Sequence, residues 1–316
     1  MKVLFTLIPP EDLRNELKKE FPDCAFYFQK GIKVEDSILQ EAEVIVTYGE
    51  DLNEEIIELA EKLRWIMVVS AGLEKMPLQM IGQRGILVTN ARGIHKIPMA
   101  EYTMGMLLQY EKRFRRMWEN QKKAIWDRRL NMGELYNKEI LIMGVGAIGG
   151  EIARLAKAFG MTTVGINKTG NKVDYVDKLH SFDDLNKLLP TADYIVSILP
   201  STPDTKHLLQ YSHFEIMKNS AVFMNIGRGD LVEEEVLLKA LKNNEIAHAI
   251  LDVFHEEPLP KNHPYWGMDQ ITISPHTSSV TKKYLPRSLE IFKDNLHTYV
   301  NKGETYINKI DVTRGY

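Results

Sequence analysis

Three ionisable residues stand where their side chains can be put to chemical use: Arg228, Glu257 and His276. Arg228 lies between two glycines, so nothing crowds its planar guanidinium. It can hold a carboxylate through two parallel N–H groups and polarise an adjacent carbonyl. His276 follows Pro275, and a histidine is the natural proton shuttle near neutral pH. An ionised carboxylate nearby, such as Glu257, stabilises the imidazolium and keeps its proton available. Each residue also has a plainer reading. The arginine of a Gly-Arg-Gly turn can be a surface residue, a lone histidine can be structural, and a glutamate before a proline can belong to a loop. The case for chemistry rests on all three closing strands of one sheet.

A fourth feature names a ligand. Gly144, Gly146 and Gly149 have the spacing G-x-G-x-x-G, after an apolar run from Ile140 to Met143 and before a helical stretch over 148–159. In that context the motif is a dinucleotide-binding fingerprint. The first glycine permits a tight turn, the second lets a pyrophosphate approach the backbone, and the third lets helix and strand pack closely. The N–H groups near Ala147 and Ile148 then face the phosphates at the positive end of the helix dipole. The alternative is an ordinary glycine turn in another α/β protein. NAD enzymes carry an acidic residue about 20 positions beyond the motif for the ribose hydroxyls. Here that place holds Asn167, Lys168 and Thr169, with no Asp or Glu from Ile166 to Gly170. A cation there favours a 2′-phosphate, so NADP(H) is the expected cofactor. If Lys168 is only an exposed turn lysine, NAD(H) is used instead. A nicotinamide enzyme acting on a keto group must bind and polarise the substrate, protonate its oxygen and tune the acid. Arg228, His276 and Glu257 match those needs in turn.

Short β-rich runs alternating with helical patterns position these residues. Over residues 1–90 the pattern predicts strands at 3–8, 24–29, 43–48, 65–70 and 86–90, with helices at 11–20 and 53–62. The strand at 65–70 runs into Ser70, Ala71 and Gly72, a small-residue turn whose backbone N–H groups can hold a carboxylate, or a plain strand-to-helix turn. One long helix is expected over 97–121, with an apolar face of Tyr102, Met106, Leu107, Tyr110, Phe114 and Trp118. Its basic cluster, Lys112, Arg113, Arg115 and Arg116, reads as a solvated face or a subunit contact. Further strands fall at 162–167, 192–199, 221–226, 248–254 and 270–274, with a helix at 233–243. Ser181 to Asp184 reads as a capping box opening a helix that runs to Leu189. Strands alternating with helices imply an α/β fold with parallel sheets.

The 316 residues suffice for about two domains. With 44% hydrophobic and 26% charged residues the composition is that of a globular protein. A net charge of −3 gives no sign of a nucleic-acid surface or a polybasic membrane patch. A single cysteine, Cys24, excludes an internal disulfide framework and points to a reducing compartment; its apolar neighbours suggest a buried thiol. The first apolar run stops at Pro9 and Pro10, too short for a signal segment, and no run is long enough for a membrane helix. The cytoplasm is the expected location. No metal cluster is read.

The chain resembles the D-isomer-specific 2-hydroxyacid dehydrogenase family over essentially its full length. The stretches that carry the resemblance are 141–150 (LIMGVGAIGG), 225–230 (NIGRGD), 251–260 (LDVFHEEPLP) and 274–276 (SPH). The resemblance puts Arg228 on the family's substrate-binding arginine, Glu257 on its glutamate and His276 on its acid/base histidine. It makes Ser70, Ala71 and Gly72 the substrate-carboxylate loop. It places Asp252 near the nicotinamide amide, and Thr103 and Ile226 near the cofactor. The loop with Pro200, Ser201 and Thr205 lies beside the adenosine and phosphates. Two Rossmann-like or flavodoxin-like domains with a cleft between them are implied: a substrate domain of residues 1–97 and 283–316, and a cofactor domain of 98–282. A homodimer is also implied, as is an enzyme without the regulatory domain of larger phosphoglycerate dehydrogenases. The expected activity is reduction of a small 2-keto acid of the glyoxylate or hydroxypyruvate type. The alternatives are a D-3-phosphoglycerate or phosphite dehydrogenase-like enzyme, and a non-catalytic NAD(P)H-sensing protein resembling the C-terminal-binding corepressors.

Overall fold

Strands with four successive buried residues recur along the chain, as expected where helices cover both faces of a parallel sheet. The computed structural model describes residues 1–33, 37–70, 72–73 and 75–312. It divides into two units: Met1–Ile94 with Thr281–Tyr316, and His95–Val280.

The first unit contains β1 (Lys2–Phe5), α1 (Glu11–Glu20), β2 (Ala25–Phe28), α2 (Ser37–Glu41), β3 (Val44–Thr47), α3 (Glu54–Leu59), β4 (Trp65–Val68), α4 (Leu78–Gln83) and β5 (Leu87–Asn90). Its five strands run parallel in the order β2-β1-β3-β4-β5. The C-terminal helix Tyr284–Val300 returns to this unit, and its Phe292 stacks on Trp65 in a fully buried aromatic cluster. Asn53 caps α3 by accepting the Ile56 N–H at 2.9 Å. Cys24 is half-buried rather than buried, and desolvation pushes its thiol up, away from the reactive thiolate.

The second unit contains α5 (Lys96–Glu111), α6 (Phe114–Lys122), β6 (Glu139–Met143), α7 (Ala147–Ala158), β7 (Thr162–Ile166), β8 (Lys178–His180), α8 (Leu185–Leu188), β9 (Tyr194–Ser197), α9 (Tyr211–Glu215), β10 (Val222–Asn225), α10 (Glu234–Lys242), β11 (His248–Leu251) and β12 (Ile271–Ile273). Its seven strands are parallel in the order β12-β11-β10-β9-β6-β7-β8. The expected α/β class with parallel sheets is therefore present. The order reverses beside β6, which makes the carboxyl end of β6 a topological switch point.

Further local expectations fail. The single helix over 97–121 is two helices, broken at Arg113, whose φ of 54° is left-handed. The loop that follows claims the side chains at the break: Lys112 Nζ donates to the Gly133 carbonyl and Arg113 Nε to that of Asn131. The buried face is also different. Met99, Ala100, Thr103, Met104 and Leu107 face the core, whereas Phe114 and Trp118 are exposed. Of the expected apolar face, Leu107 is buried and Tyr102, Met106 and Tyr110 are half-buried against the same core, so the departure is at Phe114 and Trp118 on α6. The capping box at Ser181 is absent as well. Ser181 makes no cap bond, and a 3₁₀ turn over Phe182–Asp184 precedes α8. The Asp184 carboxylate is taken by Lys187 and His180.

Candidate active site

The glycine turn leaves β6 and becomes α7 within four residues. Gly144 has φ of 105°, a conformation that strains any residue with a Cβ. A Cβ on Gly149 would run into the Gly144 carbonyl oxygen, and its next neighbour would be Ile142 of β6. Gly146 is the opposite case, since nothing lies within 4 Å of where its Cβ would be. That open space allows a ligand to reach the backbone. No side chain caps α7, and the Gly150 N–H bonds the Gly146 carbonyl at 2.8 Å. The earlier N–H groups, those of Ala147, Ile148 and Gly149, have no carbonyl a turn below them and suit an anion. The residues present therefore fit a dinucleotide pyrophosphate.

Beyond β7, the Asn167 side chain folds its own loop: Oδ1 accepts from Gly170 N–H and Nδ2 donates to the Asn171 carbonyl. Thr169 Oγ1 accepts from Asn171 N–H. Lys168 reaches the loop after β9, where Nζ meets Asp204 Oδ2 at 2.6 Å. In that same loop Thr205 turns inward, donating to the Pro200 carbonyl and accepting from Thr202 N–H. Ser201 donates to Asp230 at 2.5 Å. Asp204 was not singled out in the sequence, because its partner is 36 residues away and no local pattern marks it.

The acid–base residues leave three neighbouring strands. Arg228 follows β10, Asp252 and Glu257 follow β11, and His276 follows β12. Asn225, buried at the end of β10, braces the arginine loop by accepting from Gly227 N–H and donating to the Arg228 carbonyl. The flanking glycines have no room for a Cβ, Gly227 against Leu199 backbone and Gly229 against Phe254 backbone. Arg228 is exposed, and its Nη1 donates to the adjacent Gly227 carbonyl. Glu257 Oε2 lies 2.7 Å from His276 Nδ1, and Glu257 Oε1 accepts from Phe254 N–H. The carboxylate is thus fixed at one oxygen and applied to the imidazole through the other.

His276 itself is left-handed, with φ of 53°, an uncommon conformation for a residue with a side chain. Asp252 holds it there. The fully buried Asp252 carboxylate accepts from Ser274 Oγ, Thr277 N–H and Ser278 N–H, while its carbonyl accepts from His276 N–H. Ser274 also meets the hydroxyl of Tyr102 on α5, which burial holds well above the usual tyrosine range. Sequence reading assigns neither Asn225 nor Tyr102 a role at the site: Tyr102 reads there only as part of an apolar face. Thr103 is buried, with its hydroxyl on the Met99 carbonyl, and Ile226 is buried beside the arginine loop. In the first unit, Ser70 follows β4 and its hydroxyl lies 3.4 Å from the carbonyls of Tyr48 and Gly72. Those residues line a cavity of about 150 Å³ with Glu50, Lys75 and Met76. Ala71 lies outside the described residues. Among the described residues no group of side chains suits a metal ion, and no helix is long and apolar enough to cross a membrane.

Comparison with known proteins shows the family. The family model described as "D-isomer specific 2-hydroxyacid dehydrogenase, NAD binding domain" matches residues 104–278. A D-3-phosphoglycerate dehydrogenase of Methanocaldococcus jannaschii is 34% identical over 78% of this chain, which spans about half of that protein (47%). A glyoxylate reductase of Pyrococcus furiosus is 30% identical over 98% of this chain and 95% of its own. A solved D-isomer specific 2-hydroxyacid dehydrogenase family protein from Aeromonas salmonicida has a TM-score of 0.86 and 31% identity, covering 98% of this chain and 99% of that one.

Proposed function

The chain belongs to the D-isomer specific 2-hydroxyacid dehydrogenase family, and on that premise we propose that it reduces a small 2-keto acid to the D-2-hydroxy acid, with NADPH preferred over NADH. The observation that carries this reading is the 2.7 Å contact between His276 and Glu257, in the loops after β12 and β11, with an exposed arginine in a braced loop after the next strand, β10. A nicotinamide cofactor held at the glycine turn would supply the hydride for the keto carbon. Arg228 holds the substrate carboxylate and polarises the carbonyl with its paired N–H groups. His276 passes the proton on Nε2 to the carbonyl oxygen, and Glu257, at Nδ1, orients the ring and stabilises it while charged. Asp252 acts through the backbone it holds. The proposed role of Ser70 and Gly72 is carboxylate recognition. Gly144, Gly146 and Gly149 admit the pyrophosphate, with Lys168 toward the ribose.

Glyoxylate and hydroxypyruvate are the proposed substrates, and the name of the P. furiosus relative supports the first of them. The name of the M. jannaschii relative supports a second reading, a phosphorylated hydroxy acid. Steady-state assays with both keto acids and with D-3-phosphoglycerate, each with both cofactor types, separate the two. We also propose a homodimer, supported by the exposed aromatic side chains of Trp118, Trp126 and Tyr136 on and after α6. The cytoplasm is the proposed location.

A further inference from the structure

The Lys168–Asp204 ion pair spans an unusual place. Lys168 lies just past the end of β7, and Asp204 lies in the loop after β9. Those strands are not neighbours, since β6 runs between them and ends in the glycine turn. At about 4.8 Å per strand the two loops start roughly 10 Å apart, yet their side chains meet at 2.6 Å. The pair therefore ties the two sides of the loop cluster above β6. The hydrogen bond from Lys168 holds the Asp204 carboxyl below the usual carboxylate range.

We propose that Asp204 is a cofactor-specificity residue that holds the Lys168 ammonium and so weakens recognition of a 2′-phosphate. This inference rests on the reading of Lys168 as the 2′-phosphate ligand. A cofactor with that phosphate must draw Lys168 off Asp204, and it then leaves an unpaired carboxylate near its own negative charge. A cofactor with a free 2′-hydroxyl leaves the pair intact. Asp204 thus opposes NADP(H) without opposing NAD(H), and it narrows the preference that Lys168 creates. Both side chains are exposed, so the exchange needs no repacking of the core.

The test is equilibrium titration of the purified protein with NADP⁺ and NAD⁺, and with 2′,5′-ADP against 5′-AMP to isolate the ribose end. The expected result for Asp204→Asn is binding of NADP⁺ and 2′,5′-ADP tighter by about fivefold, with NAD⁺ and 5′-AMP within about twofold of the wild type. Lys168→Met weakens NADP⁺ by about tenfold, and in that background Asp204→Asn changes NADP⁺ affinity by less than about twofold. Asp204→Ala gives the same direction as Asp204→Asn and guards against an effect peculiar to the amide. If Lys168→Met leaves NADP⁺ affinity unchanged, the Lys168 reading and this inference both fall. If Lys168→Met weakens NADP⁺ but neither Asp204 variant tightens it, this inference alone falls. A full gain from Asp204→Asn without Lys168 also overturns it, because Asp204 would then act on the phosphate directly.

Discussion

At the scale of single residues, the central pair is His276 and Glu257. Replacing His276 with Ala should lower kcat for keto-acid reduction by at least about 100-fold while leaving the cofactor dissociation constant unchanged. Glu257→Gln retains the size of the side chain but not its charge, and kcat should fall by about 10-fold or more. Arg228→Lys keeps the charge and removes the planar fork. It should cost about 100-fold in kcat/KM for the keto acid, more than in cofactor affinity. Unchanged steady-state constants for any of these variants would contradict the role given to that residue. The contact between Glu257 and His276 is legible in the sequence, because both residues follow strands within recognisable motifs. The supports are not legible. Tyr102 meets Ser274 across 172 positions, and the Asp252 carboxylate serves backbone N–H groups of a loop 25 residues away. Nothing in residue type or spacing announces such partners before the chain is folded.

At the scale of elements, the glycine turn makes two separable predictions. Gly146→Ala should fold normally, since its Cβ enters open space, but weaken cofactor binding by about 10-fold by standing in the pyrophosphate's path. Gly149→Ala should instead lower the melting temperature, because its Cβ collides with the Gly144 carbonyl. Thermal melts and cofactor titration of both variants distinguish the two, and the reverse pattern would refute the assignment. His248 on β11 makes stability depend on pH. Burial pushes His248 down to about 4, with Arg113 and Arg115 adding repulsion, and its Nε2 meets Thr272. The unfolded chain therefore takes up this proton first as pH falls. Stability is fully present above about pH 6.5 and is lost between there and pH 4, by about 3 kcal/mol. His248→Gln should flatten that slope in urea melts at pH 7.5, 5.5 and 4.5, and an unchanged slope would refute the claim. Strand positions are legible because parallel strands are uninterrupted apolar runs. The break at Arg113 is not, because it depends on carbonyls of Asn131 and Gly133 that only the fold brings close.

At the scale of the whole molecule, the α/β class with parallel sheets follows from the alternation of the two patterns along 316 residues. The outer end of the expected apolar face has a consequence at this scale. Phe114 and Trp118 are exposed on α6, and Trp126 is 91% exposed. A second copy of the chain would cover such side chains, so sedimentation equilibrium should give twice the mass of the chain. Trp126→Glu should shift that equilibrium toward monomer, and an unaltered association would show that this segment is not the contact. The central claim is hydride transfer to a 2-keto acid with His276 as proton donor. Its most direct test is the loss of reduced-cofactor absorbance when purified protein meets NADPH or NADH and a panel of 2-keto acids, beside the His276→Ala variant. Turnover is expected with glyoxylate or hydroxypyruvate, faster with NADPH, and at least about 100-fold slower in the variant. No turnover with any 2-keto acid and either cofactor, or equal turnover by the variant, would contradict it.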